Sequence, residues 1–276
     1  MKEAIEREFN PRVSVPDTEP YMQRGLDQSN KTYAKYSHQA NIKYGTGALA
    51  TIDYFAGNQT DKPLFVFIHG GFWRGRDKTD FAYVANSILP LGCSVALMNY
   101  DLCPTVTVAQ IAQQIRDGLV WLNGQSASLG FKRGLWVAGH SAGAHLIAAT
   151  LAKTGQSFQL PENIIERAYL ISGIYECTPV LDISVNEEIK MKPEDVAAVS
   201  PMRFPMPTEV IYDVSAGGAE PPGWVKQSTD FAEHLQKQGC KVTTHIRPDL
   251  NHYSIMQEFE QSTGYSPQLV KQALGS

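Results

Sequence analysis

Leu135-Trp136-Val137-Ala138-Gly139-His140-Ser141-Ala142-Gly143-Ala144-His145-Leu146-Ile147-Ala148-Ala149 is the stretch on which the fold of this chain turns. Its first four residues read as a strand and its last six as a helix, joined by Gly-x-Ser-x-Gly. That setting puts a serine on a sharp strand-to-helix turn. Gly139 and Gly143 carry no side chains, so the two elements can approach closely. Ser141 is then expected at the tip, strained and exposed, with its hydroxyl aimed at a pocket. The bare pattern is weak, because chance supplies it in roughly one chain in ten at this length. The flanking strand and helix strengthen it, and a motif upstream strengthens it further.

That motif is His69-Gly70-Gly71-Phe72-Trp73, directly after Pro63-Leu64-Phe65-Val66-Phe67-Ile68. The continuous apolar run reads as a strand covered on both faces. Two glycines let the backbone turn its N–H groups inward, as an oxyanion loop requires. The N–H groups of Gly71 and Phe72 are the candidate donors, with that of Ala142, which follows the serine. His69 is read as a ring that braces the loop by hydrogen bonding.

A serine hydroxyl becomes a nucleophile when a base takes its proton and an acid orients that base. The base is expected after the last strand, and His252 in Asp249-Leu250-Asn251-His252-Tyr253-Ser254 stands there. His245 lies within the preceding strand, His145 reads as a core histidine, and His140 is placed to shape the pocket. The acid is expected after the penultimate strand, Val210–Val214. Glu220 stands just beyond that strand and is favoured; Asp213, inside it, is the alternative. The order Ser141, Glu220, His252 is the nucleophile–acid–base order of α/β-hydrolases.

Around these motifs, strand-like and helix-like runs alternate. Helices are expected over Asp80–Leu89, Val106–Leu122, Ala142–Ala152 and Val225–Gln238. Strands are expected over Cys93–Asn99, Ala168–Ser172 and Val242–Ile246, and an edge hairpin over Ile42–Tyr44 and Ala50–Phe55. Such alternation predicts an open α/β sheet with helices on both faces. The chain reads as one domain over 1–276. Residues 1–38, with a helix over Met22–Tyr36, form an N-terminal extension. Residues 176–207 carry five prolines and are expected as a small helical cap.

Composition narrows the function. The 276 residues are 43% hydrophobic and carry a net charge of −4, leaving no basic footprint for nucleic acid. No apolar run is long enough to span a bilayer, and the charged N-terminus lacks a signal peptide's apolar region. Cys93, Cys103, Cys177 and Cys240 are far apart, which reads as buried thiols in a reducing cytoplasm. There is no His-Glu-x-x-His, no Gly-x-Gly-x-x-Gly and no Walker loop, so neither a metal nor a nucleotide cofactor is expected. The expected partner is a small molecule, with no nucleic acid and no membrane; a homodimer is left open.

With these residues placed, the chain resembles the arylformamidases of α/β-hydrolase fold, the serine-type kynurenine formamidases, and is similar to their bacterial esterase relatives. The resemblance rests on His69-Gly70-Gly71-Phe72-Trp73, Asn99-Tyr100-Asp101-Leu102-Cys103-Pro104, Gly139-His140-Ser141-Ala142-Gly143-Ala144-His145-Leu146, Gly217-Gly218-Ala219-Glu220, Gln227-Ser228 and Asn251-His252-Tyr253. It implies a cofactor-free hydrolase that cleaves an N-formylkynurenine-like aryl formamide to the arylamine and formate, with small aryl or alkyl esters as the alternative. Phe72 stands where many members carry tyrosine, which changes the polarity near the acyl group. Phe72, Trp73, Tyr100 and Tyr175 are expected either to wall the substrate site, with His140 beside them, or to pack in the core or cap.

Overall fold

The computed structural model describes residues 2–275. Three helices come first: α1 (Lys2–Phe9), α2 (Pro11–Ser14) and α3 (Glu19–Lys35). β1 (Gln39–Lys43), β2 (Thr51–Phe55) and β3 (Pro63–Ile68) follow, then α4 (Tyr83–Ile88), β4 (Val95–Met98), α5 (Val108–Gly124) and α6 (Ser126–Leu129). β5 (Lys132–His140), α7 (Ala142–Leu151) and β6 (Ile165–Ile171) form the centre. α8 (Asn186–Ile189), α9 (Pro193–Val199), β7 (Ile211–Gly217), α10 (Pro222–Lys237), β8 (Lys241–Arg247) and α11 (Tyr265–Leu274) complete the chain.

The strands make one sheet in the order β1-β2-β4-β3-β5-β6-β7-β8. β1 and β2 form the antiparallel edge expected from the sequence; from β4 onward every neighbour is parallel. Alternation along β3 shows why both faces are covered. Leu64, Val66 and Ile68 pack with α5, α7 and α10 residues such as Ile115, Leu146 and Phe231. Phe65 and Phe67 point the other way, to Val84, Ile88, Phe259 and Val270. A strand buried on both faces has no polar positions, and β3 has none.

One expected helix is divided. Residues 80–89 begin as a 3-10 turn, Lys78–Phe81, closed by Asp77, whose carboxylate accepts from the Thr79 N–H at 2.9 Å. α4 starts only at Tyr83, and Pro90 ends it in a second 3-10 turn. Residues 178–203 fold into short helices rather than one long connection. The N-terminal helices pack on parts of the chain far apart in sequence. α3 is tied to the C-terminal region by Arg24 and Glu260 (2.7 Å) and to β2 by the Tyr33 hydroxyl on Asp53 (2.7 Å). Near α2, Asn10 donates to Glu6, which in turn accepts from Ser184.

Candidate active site

The turn between β5 and α7 has the geometry that its glycines permit. Ser141 adopts φ +56° and ψ −118°, a conformation rarely occupied by a residue with a side chain. Surrounding structure holds it there. The Ser141 N–H donates to Ile171 O at 2.8 Å, and a Cβ on Gly143 would lie 2.0 Å from Ile68 O. β5, α7 and β3 are therefore packed backbone against backbone, and the serine is lifted into a cavity that it lines together with His252 and His140.

A hydrogen-bonded row runs from Ser141 into the protein. His252 Nε2 meets Ser141 Oγ at 3.0 Å, and His252 Nδ1 meets Glu220 Oε2 at 2.8 Å. The other carboxylate oxygen accepts from the Gly217 N–H and the Ser172 hydroxyl, each at 2.6 Å. All three members of the row are buried, and this corrects the expectation that Ser141 is exposed: the cavity walls close over the turn. Glu220 reaches His252 because the two loops are joined: Gly218 N–H donates to Arg247 O at 2.7 Å and Ala219 N–H to Leu250 O at 3.0 Å. Asn251 shapes the histidine turn by accepting from the N–H groups of Tyr253 and Ser254, both at 2.9 Å.

Asp213 is engaged elsewhere. Its carboxylate accepts from Arg167 at 2.6 Å and faces His245 Nε2 at 3.3 Å, inside the sheet and outside the row. His69 braces the loop as expected, with Nδ1 at 2.8 Å from Gly70 O and Nε2 at 2.8 Å from Asn99 Oδ1. The loop has positive φ at three successive residues: Gly71 (+115°), Phe72 (+49°) and Trp73 (+56°). Among the described residues no backbone acceptor takes the N–H of Gly71, Phe72 or Ala142. The Ala142 N–H is an orphan donor at the start of α7, as in the first turn of any helix.

His140 lines the cavity, and its Nε2–H donates to the carbonyl of His252 at 2.9 Å. Burial, and then the nearby charge of His252, hold the His140 pKa well below the usual histidine value, so this ring is neutral. His145 is a core histidine. It accepts from the Trp73 indole at 3.1 Å on Nδ1 and donates from Nε2 to Val199 O at 2.7 Å, and burial lowers its pKa to about 4.

The expected aromatic wall is corrected at three positions. Trp73, Tyr100 and Tyr175 are fully buried and none lines the cavity. Consecutive left-handed residues send Phe72 toward the cavity and Trp73 inward to His145. Tyr100 stacks on His69 at 4.3 Å and donates to its carbonyl at 2.7 Å, while Tyr175 stacks on Phe231 at 4.1 Å. The actual wall is Phe72, Phe81, Tyr83, Tyr21 and Tyr253. From residues 176–207 only Val185 reaches the cavity; the remaining cover comes from Asn10–Arg12 and from Tyr21, Met22 and Gly25 of α3.

Two site residues carried no sequence signal. Ser172, at φ +47°, ends β6 and braces Glu220. Trp224 donates to Ser172 O at 2.9 Å and stands nearly perpendicular to the His252 ring, 4.8 Å between centroids. The spacing of Tyr21, Met22 and Gly25 on one face of α3 was the available clue to the N-terminal wall. Among the described residues no group of three or more His, Cys, Asp or Glu is placed to hold a metal ion. Nor is any helix long and apolar enough to cross a membrane.

The fold and the site together define an α/β-hydrolase. The BD-FAE family model matches residues 52–191, half of the chain, and this protein belongs to that family. Kynurenine formamidase of Salmo salar is 27% identical over 99% of this chain and 97% of its own length. That of Danio rerio is 27% identical over 85% and 81%. Among solved structures, a protein of Silicibacter sp. tm1040 provisionally named a thioesterase superposes with a TM-score of 0.85 at 25% identity, covering 96% of this chain and 98% of its own. Esterase LipW of Mycobacterium marinum shares the fold, with a TM-score of 0.71 at 18% identity over 98% and 91%.

Proposed function

We propose that this protein is a serine hydrolase of aryl formamides, cleaving an N-formylkynurenine-like substrate to the arylamine and formate. The observation that carries this reading is the unbroken row Glu220–His252–Ser141 under an aromatic cavity. The relatives named kynurenine formamidase, matched over nearly the whole chain, supply the acyl group.

Ser141 Oγ attacks the formyl carbon as His252 Nε2 takes its proton. The carbonyl oxygen becomes an oxyanion held by the N–H groups of Gly71, Phe72 and Ala142, each such donor contributing about 3 kcal/mol to the transition state. The intermediate collapses as the imidazolium gives its proton to the departing amine nitrogen. A formyl ester on Ser141 and a free arylamine remain. Water then loses a proton to His252 and attacks the ester, and the returned proton restores the serine hydroxyl as formate leaves. Glu220 fixes the tautomer of His252 and stabilises its charged form. His140 positions His252 through its carbonyl. The aryl group lies against Phe72, Phe81 and Tyr83.

Small aryl or alkyl esters are the second reading, favoured by the esterases among the structural neighbours. Four buried free thiols fit a reducing compartment, and the cytoplasm is the location we assign. The test measures formate release from N-formylkynurenine and turnover of short aryl esters, with Ser141→Ala as control. Wild type is expected to favour the formamide, and the alanine variant to lose both activities and fluorophosphonate labelling while melting near the wild-type temperature. An alanine variant that still turns over substrate refutes the nucleophile. Ester cleavage without formate release makes the second reading the first.

A further inference from the structure

We infer that Arg12, Arg74 and Arg76 form a carboxylate-recognition subsite in the wall of the cavity, selecting substrates whose leaving group carries a carboxylate. The proposal rests on the formamidase reading in one respect: a formyl carbon bears only hydrogen, so any charge must lie on the amine side.

All three arginines line the cavity that holds Ser141 and His252, against one acid, Asp80. Asp80 is paired with Arg76 at 3.0 Å, and Arg76 also stands over the Phe81 ring, 5.4 Å from its centroid. Arg12, presented by α2, forms no ion pair among the described residues. Arg74 gives its terminal nitrogen to Glu188 at 2.7 Å, yet its Nε–H is buried and has no acceptor. An unsatisfied buried donor is destabilising unless a ligand completes it, and for a charged donor the natural partner is an anion. All three share one cavity wall with Tyr253. Burial raises the pKa of the Tyr253 phenol, while the charges of Arg12, Arg76 and Arg74, and a hydrogen bond from Arg12, act against that rise. Tyr253 adjoins His252, so the positive field lies one residue from the general base. Apolar walls from Phe72, Phe81 and Met22 receive a ring, and guanidinium groups receive a carboxylate in bidentate fashion.

The test compares kcat/KM within two matched pairs. One sets N-formylkynurenine against its analogue truncated to a methyl ketone. The other sets an aryl acetate bearing a meta carboxyethyl group against the same ester with a meta ethyl group. Wild type is expected to favour the carboxylate of the ester pair by at least about tenfold, a preference that shrinks as salt is raised. Arg12→Gln and Arg74→Gln are each expected to lower the ratio by about tenfold. A wild-type ratio at or below one overturns the subsite whether or not the variants fold, as does an undiminished ratio in both folded variants. Loss of formamide turnover with the ester preference intact overturns the formamidase reading alone. Formamide turnover without an ester preference overturns the subsite alone.

Discussion

Glu220 spends both carboxylate oxygens on fixed partners, one on His252 and the other on Gly217 N–H and Ser172 Oγ. A carboxylate so held cannot swing away from the imidazole, and its negative charge is available when the ring is protonated. Ser172 and Trp224 extend the bracing to the far side of His252. Glu220→Gln keeps the shape but can present an amide N–H to Nδ1, favouring the wrong tautomer. It is expected to lower kcat by about two to four orders of magnitude with little change in KM. Asp213→Asn is the contrasting variant. It removes the charge facing Arg167 and is expected to cost about 1–3 kcal/mol of stability while keeping kcat within a few-fold of wild type. Steady-state kinetics and urea melts on the two proteins separate these outcomes. The reverse result would move the acid to Asp213.

The turn from β5 to α7 works because two elements and a neighbouring strand meet without side chains between them. A Cβ on Gly143 would stand 2.0 Å from Ile68 O and 2.7 Å from His69 O, both backbone atoms of the sheet centre that have nowhere to move. Gly143→Ala is expected to destabilise the fold by at least about 3 kcal/mol, read as a fall in the urea midpoint. Gly124→Ala, at the end of α5 with nothing within 4 Å, is expected to be neutral or to stabilise by up to about 1 kcal/mol. A tolerant Gly143 would mean that α7 can shift on the sheet. Such close contacts are legible in sequence because only glycine satisfies them, as at Gly139 and Gly143. The buried strands are legible for a related reason: β3 and β4 have no water-facing side and show unbroken apolar runs. Side-chain direction in an irregular loop follows no period, so nothing in His-Gly-Gly-Phe-Trp says that Phe72 faces the cavity and Trp73 the core. Nor does a pattern mark Ser172, whose role depends on β6 ending beside the Glu220 loop.

At the scale of the whole molecule, the site is assembled from segments far apart in the chain. Residues 10–25 supply a wall, 70–83 the loop and a second wall, 140–141 the serine, and 252–256 the histidine turn. Closing these around the sheet places ionisable rings in the interior, with a consequence for stability. His145 is buried, lies between the Trp73 indole and Val199 O, and has its pKa lowered to about 4 from an ordinary value of 6.5. Protonating Nδ1 would set N–H against the indole N–H. The unfolded chain therefore takes up a proton at this residue below pH 6.5 while the native state does not until about pH 4. Stability from this group is complete above pH 6.5 and is lost as pH falls through that window, by about 3 kcal/mol in full and about 2 kcal/mol by pH 5. His140, lowered in the same direction by burial, adds to the loss. Carboxylates held below their ordinary values, such as Glu176 and Asp77, act with the same sign but at lower pH. Urea unfolding between pH 7.5 and 5 is thus expected to lose at least about 2 kcal/mol before the carboxylates titrate. His145→Gln, which can still accept from Trp73 and donate to Val199 O, is expected to flatten the profile by the His145 share. A wild-type profile level across that range would show that these rings take up protons in the native state without penalty.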